Sequence, residues 1–313
     1  MAKSRRLEDR LTELTNLRND PASDQTLAEL HKAFLDKDSF IVTRAAEMVG
    51  EFYLDKLEVE LVHAFDRFMV NPAKTDPGCS AKIAIAESLY RLEVYQEDLF
   101  LKGICHVQME PVWGGQVDTA AKLRGICALG LVRMNYNNVM IPLAHLLADP
   151  ESDARISAAK AIGYARLPEG IPLLRFKVLT GDSHPQVMCD CFGALIQLAP
   201  DASLSFVAGF MKKEDVAVVE AAALAIGESQ LSQAFPFLET AWEDTFDREL
   251  RKTFLTAIAL LRQEAAFVFL ESLISEGPKV HALDALEAVK MYREDARIWR
   301  RVQIALKARA EAL

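Results

Sequence analysis

Small and apolar residues recur along this chain at helical spacing, in blocks of similar make-up. The blocks include Ala45-Ala46-Glu47-Met48-Val49-Gly50, Ile85-Ala86-Glu87-Ser88-Leu89-Tyr90 and Gly125-Ile126-Cys127-Ala128-Leu129-Gly130. Ala158-Ala159-Lys160-Ala161-Ile162-Gly163 and Cys191-Phe192-Gly193-Ala194-Leu195-Ile196 follow, and three more blocks close on Gly227, Ala259 and Lys290. Their closing positions are 40, 40, 33, 33, 31, 32 and 31 residues apart. A near-constant period of this length is the signature of stacked structural repeats. Each of the eight units predicts two helices. The first is rich in Ala and Gly, which let a neighbouring helix approach closely. The second, after a polar break, carries larger apolar residues.

Local signals agree with this pattern. Pro142, Pro172 and Pro236 fall in the first turn of second helices, where a missing N–H costs nothing. Cap residues precede several first helices, at Asp36 to Ser39, Asp149 to Asp153, Asp182-Ser183 and Asp215. No window of alternating β-branched residues competes, so the expected fold class is all-α. One helix pair cannot bury its apolar face alone, whereas stacked pairs share a continuous core whose ends need polar outer faces. The N-terminal stripe Leu7, Leu11 and Leu14, flanked by Arg5, Arg6, Glu8, Asp9, Arg10 and Glu13, suits such an end. The last helix suits the other, with Ile298, Val302 and Ala305 inward. The expected architecture is a single right-handed α-solenoid over residues 1–313. It has an N-terminal capping segment (1–24), about eight helix pairs (25–290) and a C-terminal capping helix (291–313).

The run Asp153-Ala154-Arg155-Ile156-Ser157-Ala158-Ala159-Lys160-Ala161-Ile162-Gly163, with Leu167-Pro168-Glu169-Gly170-Ile171-Pro172-Leu173-Leu174 after it, resembles the short HEAT repeat. More narrowly, it is similar to the variety first recognised in phycobilisome lyase subunits. The resemblance covers roughly residues 25–310 and is weakest in the second and fifth units. It implies a basic residue eight positions before each closing residue. Lys82, Lys122, Arg155 and Arg251 occupy that position, whereas Val42, Met188, Val219 and Ala282 depart from it. HEAT arrays serve as scaffolds, lyase subunits and recognition domains, so the resemblance implies a fold and leaves the function open.

Composition narrows the classes. The chain has 313 residues, 51% of them hydrophobic, with a formal charge of −9. The first hundred residues carry −6, the second hundred +1 and the remainder −4. An acidic chain is a poor default ligand for nucleic acid, whose binding rests on neutralising phosphates. Five sparse cysteines argue against a disulfide-stapled secreted scaffold. No apolar run reaches the ~18 residues of a membrane span, and no apolar segment follows the basic start as in a signal peptide. The expected location is cytoplasmic, without a membrane.

Catalytic chemistry is hard to find. Deoxyhypusine hydroxylase, a HEAT array, binds iron through His-Glu pairs, and none of the six histidines here precedes a glutamate. Cys189 and Cys191 do not share a helix face. Cys105-His106 with Cys79 is the one conceivable metal cluster, against ordinary buried thiols. Gly125 and Gly130 have the spacing of a phosphate loop, but Leu131-Val132 follow where Lys and Ser or Thr belong, so close helix packing explains them better. No catalytic residue, metal or cofactor is expected.

Binding is easier to place. Two units are longer than the rest by about seven residues each, at 71–78 and 108–118. Insertions at equivalent points of consecutive repeats project from one edge, often the binding edge. The second insertion holds Met109, Glu110, Trp113 and Asp118 among Pro and Gly, and Tyr136 in the connection 134–138 extends the feature. A loop Trp offers large contact area at low entropic cost. It can equally fold back and plug a gap between helices. The concave face offers His63, Asp66, Arg67, His145, Arg175 and Lys177. A basic patch, Arg293, Arg297, Arg300 and Arg301, has helical spacing that can track phosphates, although a capping helix also needs a polar face. The expected function is a non-enzymatic protein–protein interaction scaffold or adaptor, binding a protein partner on its concave face or loop edge. The alternatives are a lyase-like subunit handling a tetrapyrrole and a nucleic-acid-binding repeat protein.

Overall fold

The computed structural model describes residues 2–312, with side chains for residues 7–311. Arg5 and Arg6 lie outside the described side chains. The chain forms two compact units, 1–165 and 166–313, and both are built from antiparallel helix pairs of an all-α solenoid.

The first unit contains α1 (Ala2–Asn16), α2 (Asp24–Phe34), α3 (Ser39–Phe52), α4 (Glu58–Phe68) and a short α5 (Pro72–Thr75). Then come α6 (Ser80–Arg91), α7 (Glu97–Ile104), β1 (Met109–Val112), β2 (Gly115–Asp118), α8 (Ala121–Arg133), α9 (Met140–Leu147) and α10 (Ser152–Ala165). The Ala-rich helices α3, α6, α8 and α10 stack in succession. Their small residues explain the closeness. A methyl group on Gly125 would lie 2.3 Å from Ser157 Oγ, and one on Gly130 would lie 2.7 Å from the Phe100 ring. Gly125 and Gly130 are therefore helix-packing residues within α8. Leu14 of α1 is buried while Leu7 and Leu11 are half-buried, and α1 packs on α3 as an end cover.

The second unit contains α11 (Gly170–Thr180), α12 (Pro185–Leu198), α13 (Pro200–Ala208), α14 (Val216–Glu228) and α15 (Phe235–Asp244). It ends with α16 (Arg248–Leu260), α17 (Glu264–Ser275), α18 (Lys279–Val289) and α19 (Ala296–Ala312). Here α12, α14, α16 and α18 form the Ala-rich stack, and α19 packs on α17. Gly227 permits the same intimacy, since a methyl there would sit 2.4 Å from Ala257 O.

Helix boundaries follow the capping chemistry. Asp38, Asp215 and Asp247 each accept backbone N–H groups at the start of a first helix. Tyr53, Glu93, Asn135, Arg166, Gln230 and Arg262 take left-handed φ values just after first helices. This left-handed residue turns the chain into the second helix and is the usual helix stop.

One expectation is corrected by the fold. The 108–118 insertion is a β-hairpin, antiparallel with the register Met109↔Asp118, Glu110↔Val117, Pro111↔Gln116 and Val112↔Gly115. Trp113 and Gly114 form its two-residue turn, and Gly114 takes φ +91°, a value that only glycine adopts readily. The alternation was hidden by Pro111 and by three residues of turn composition.

Candidate functional site

The hairpin stands on a buried polar base. Asp76 opens α6 by accepting the N–H groups of Ala81 at 2.9 Å and Lys82 at 3.1 Å. Lys82 Nζ donates to Asp76 Oδ2, the oxygen that also accepts its own backbone N–H, at 2.8 Å, and neither side chain is exposed. Asp118 repeats the arrangement before α8, accepting from Gln108 N at 3.0 Å and Ala120 N at 2.9 Å. The Arg124 guanidinium spans two carboxylates, Asp118 at 2.7 Å and Asp149 at 2.8 Å, and also donates to His106 O at 2.9 Å. Arg155 continues the series by donating to Asp149 O and Pro150 O at 2.8 and 2.7 Å. A planar fork is the group suited to bridging two carboxylates.

These contacts correct the reading of the basic positions. Lys122 is exposed and pairs with Glu87 at 2.8 Å. Arg124, two residues later, takes the buried place that Lys82 and Arg155 take in their own repeats. The buried cation of α8 lies six residues before Gly130, where the count of eight falls on Lys122.

The two insertions dock on each other. Gln108 Nε2 donates to Asp76 O at 2.8 Å, and Gly78 N donates to Glu110 Oε1 at 2.8 Å. Glu110 Oε1 also accepts from Gln108 Nε2 at 2.6 Å and Thr119 Oγ1 at 3.0 Å. Burial pushes the Glu110 carboxyl up, but these donors outweigh it and hold its pKa below the usual value. Asp118 is likewise pushed up by burial and brought below its usual value by Gln108, Ala120 and Arg124. Both are therefore structural anions at neutral pH. Gln108, Asp76 and Arg124 carry this base without having been singled out by the sequence pattern, and Asp149, expected only as a helix cap, joins them. The legible signal was an acidic residue six positions before each buried cation.

Above the base the hairpin is bare. Residues 111–117 are all exposed, and the Trp113 side chain is 103% exposed at the tip. Trp113 does not fold back over the helices. Met109, Val112 and Val117 are also exposed, and no residue from 111 to 117 carries a charge. The structure thus brings Met109, Glu110, Trp113 and Asp118 together, with the first and third presented outward and the carboxylates used within. Tyr136 is not part of this feature. It follows the far end of α8, about 20 Å away at 1.5 Å per helical residue.

The other candidate residues are dispersed. Asp66 pairs with Lys102 at 2.9 Å, Arg67 donates to Asp36 O at 2.8 Å, and His63 and His145 are exposed. In the second unit Arg175 donates to Ala202 O and lies over the Phe206 ring, while Lys177 pairs with Asp182 at 2.7 Å. The basic patch is also not a helix face of four. Arg293 precedes α19. Arg301 is held by Glu264 at 2.8 Å and by Glu271 at 3.1 Å, and these carboxylates push its pKa up. Arg297 and Arg300 are left exposed.

The three buried thiols are poor nucleophiles. Burial pushes Cys79 and Cys191 up to about 12, and Cys127 well above its ordinary value, so they stay protonated at neutral pH. Among the described residues no three His, Cys, Asp or Glu side chains converge on a metal position, and no helix is long and apolar enough to cross a membrane.

No family model matches the chain. No curated protein matches it either. Among solved structures it is similar to a chain of the complex of CpcE and CpcF of phycocyanin lyase from Nostoc sp. PCC7120. There the identity is 17%, the TM-score 0.38, and the match covers 75% of this chain and 90% of that one. It is also similar to human deoxyhypusine hydroxylase in complex with glycerol, at 14% identity and a TM-score of 0.31, over 92% of this chain and 91% of that one. Neither likeness reaches a level at which function transfers.

Proposed function

We propose that this chain is a protein-binding module that presents its 109–118 hairpin to a partner. The observation that carries the reading is Trp113, fully exposed at the tip of a hairpin whose base is fixed by buried ion pairs. Tryptophan held in a preset position loses little entropy on binding and is a typical interface anchor. The uncharged tip suits an apolar pocket on the partner, and the bound base charges keep the hairpin from collapsing onto α8.

Affinity capture from native extract, wild type beside Trp113→Ala, tests the reading. A discrete protein held by the wild type and lost at least tenfold in the variant is the expected result, since anchor residues contribute about 2 kcal/mol or more. A protein held equally by both moves the site to the second helices. A coloured eluate absorbing in the visible, or recovered nucleic acid with no enriched protein, favours the tetrapyrrole or nucleic-acid alternative instead.

A further inference from the structure

The Ala-rich helices of the second unit stack in the order α12, α14, α16 and α18. Both α14 and α16 have such a helix on each side. By contrast, α18 has α16 on one side and no such helix on the other among the described residues. Since α19 packs on α17, it leaves this side of α18 open. Val280 and Leu283 are 47% and 53% exposed, and Leu286 is half-buried. A groove of about 340 Å³ runs beside Leu283 and Leu286, and Leu306 of α19 also lines it. The same side of α16 carries Arg248, which reaches forward to Asp284 of α18 at 2.9 Å. Lys279 stands 31 residues after Arg248, one repeat later. It is exposed and has no partner among the described residues, while Glu287 holds Lys290 of its own chain. An end helix of a stack ordinarily carries a polar outer face, and α18 does not.

We propose that a second copy of this chain covers the face, α18 against α18. The charges on the face select this occupant. Counted from Leu283, apolar side chains stand at −3 (Val280) and +3 (Leu286), and opposite charges at −4 (Lys279) and +4 (Glu287). Residues three and four apart on a helix share a face. Antiparallel packing about a two-fold axis at Leu283 sets each position before it against the matching position after it in the other copy. Leu283 then meets Leu283, Val280 meets Leu286, and Lys279 meets Glu287, the last two contacts each occurring twice. Glu287 comes to lie between its own Lys290 and the Lys279 of the other copy. Parallel packing would set Lys279 against Lys279 and Glu287 against Glu287. A foreign helix without an acid at one end and a base at the other would leave a charge unmatched. The contact repeats the one inside the molecule, where the forward cation of α16 meets an acid of its neighbour. This face belongs to the second unit, the hairpin to the first.

Sedimentation equilibrium of the full chain, from ~1 to ~100 µM, covers the range expected for a small interface. The wild type is expected to dimerise in that range. Leu283→Asp sets two carboxylates on the axis and is expected to be monomeric throughout. Lys279→Glu sets glutamate against Glu287 twice, and Glu287→Lys sets lysine against Lys279 twice. Each is expected to weaken association by about tenfold or more. The double variant Lys279→Glu with Glu287→Lys restores opposite charges in the same register. It is expected to associate about fivefold or more tightly than either single variant, as is an equimolar mixture of the two single variants. Helical circular dichroism equal to wild type confirms that each variant is folded. A wild type that stays monomeric throughout overturns the proposal. So does association that Leu283→Asp leaves intact, or a double variant no tighter than the single ones. Trp113→Ala is expected to dimerise like the wild type. A monomeric Trp113→Ala chain overturns the proposal by placing the self-contact on the hairpin.

Discussion

One position of the repeat is occupied differently in the two units. Near the start of the first helix the first unit buries Lys82, Arg124 and Arg155 beside one apolar residue, Val42, while the second buries Met188 and Val219 and keeps one cation, Arg251, half-buried. The cations reach back to the linker that enters the helix and bind its carbonyl and carboxylate oxygens. Long linkers bring polar backbone into the interior, and that backbone must be satisfied there. The second unit enters α12 and α16 through linkers of 181–184 and 245–247, and in the latter Arg251 donates to Thr245 O. Of its enclosed carboxylates, Asp182 pairs with Lys177 of the preceding helix and Asp284 with Arg248 of α16. Two of the three buried cations, Lys82 and Arg124, thus belong to the repeats that carry insertions. A buried ion pair adds little net stability over apolar packing, so its role in the first unit is to fix where the hairpin points.

The comparison can be broken most severely at Lys82. Lys82→Ala strands the fully buried Asp76 carboxylate and is expected to cost about 3–5 kcal/mol in denaturant unfolding. Met188→Ala removes packing alone, at about 2–5 kcal/mol. Adding Asp76→Asn to Lys82→Met separates the two cases, because it should recover part of the first loss and has no counterpart in the second. Gly227→Ala is expected to cost about 1–3 kcal/mol through its clash with Ala257 O. Gly193→Ala meets nothing within 4 Å and should stabilise by up to about 1 kcal/mol.

Acid sharpens the comparison more gently. Asp118 and Glu110 have folded pKa values below their ordinary ones. Their contribution is therefore complete above about pH 4–5, the unfolded range, and is lost as pH falls through the lower folded values. Amide protection at Gly78 and Ala120 should fall in that acid window before protection in α14 and α16 does. If all amides lose protection together, the hairpin base is not a separate acid-sensitive element. The smallest effect belongs to Trp113→Ala. Its side chain touches so little that stability should change by less than about 0.5 kcal/mol, while binding changes strongly.

The helix pairs were legible because their signals are local and repeated. Small residues at helical spacing, prolines in first turns and aspartate caps each recur in several units. The insertions were also legible, from the spacing between Gly50, Tyr90 and Gly130. The hairpin was not, since its strands are four residues long and Pro111 interrupts the alternation. Arg124 was missed in favour of Lys122 because the buried cation of α8 stands six residues before Gly130, two short of the spacing that holds for Lys82 and Arg155. The docking of Glu110 on Gly78 depends on two segments 32 residues apart, and no local pattern encodes such a contact. Arg293 read as part of a stripe because helical spacing was extended past the point where α19 begins.

Pro111 has one more consequence. A protruding hairpin with valine and tryptophan side chains and two open edges could recruit strands on both sides and grow without limit. A sheet that accepts a strand on only one side terminates after a single addition. Proline at the outward position of β1 withholds one N–H from that edge, so a strand added there would lack a backbone hydrogen bond.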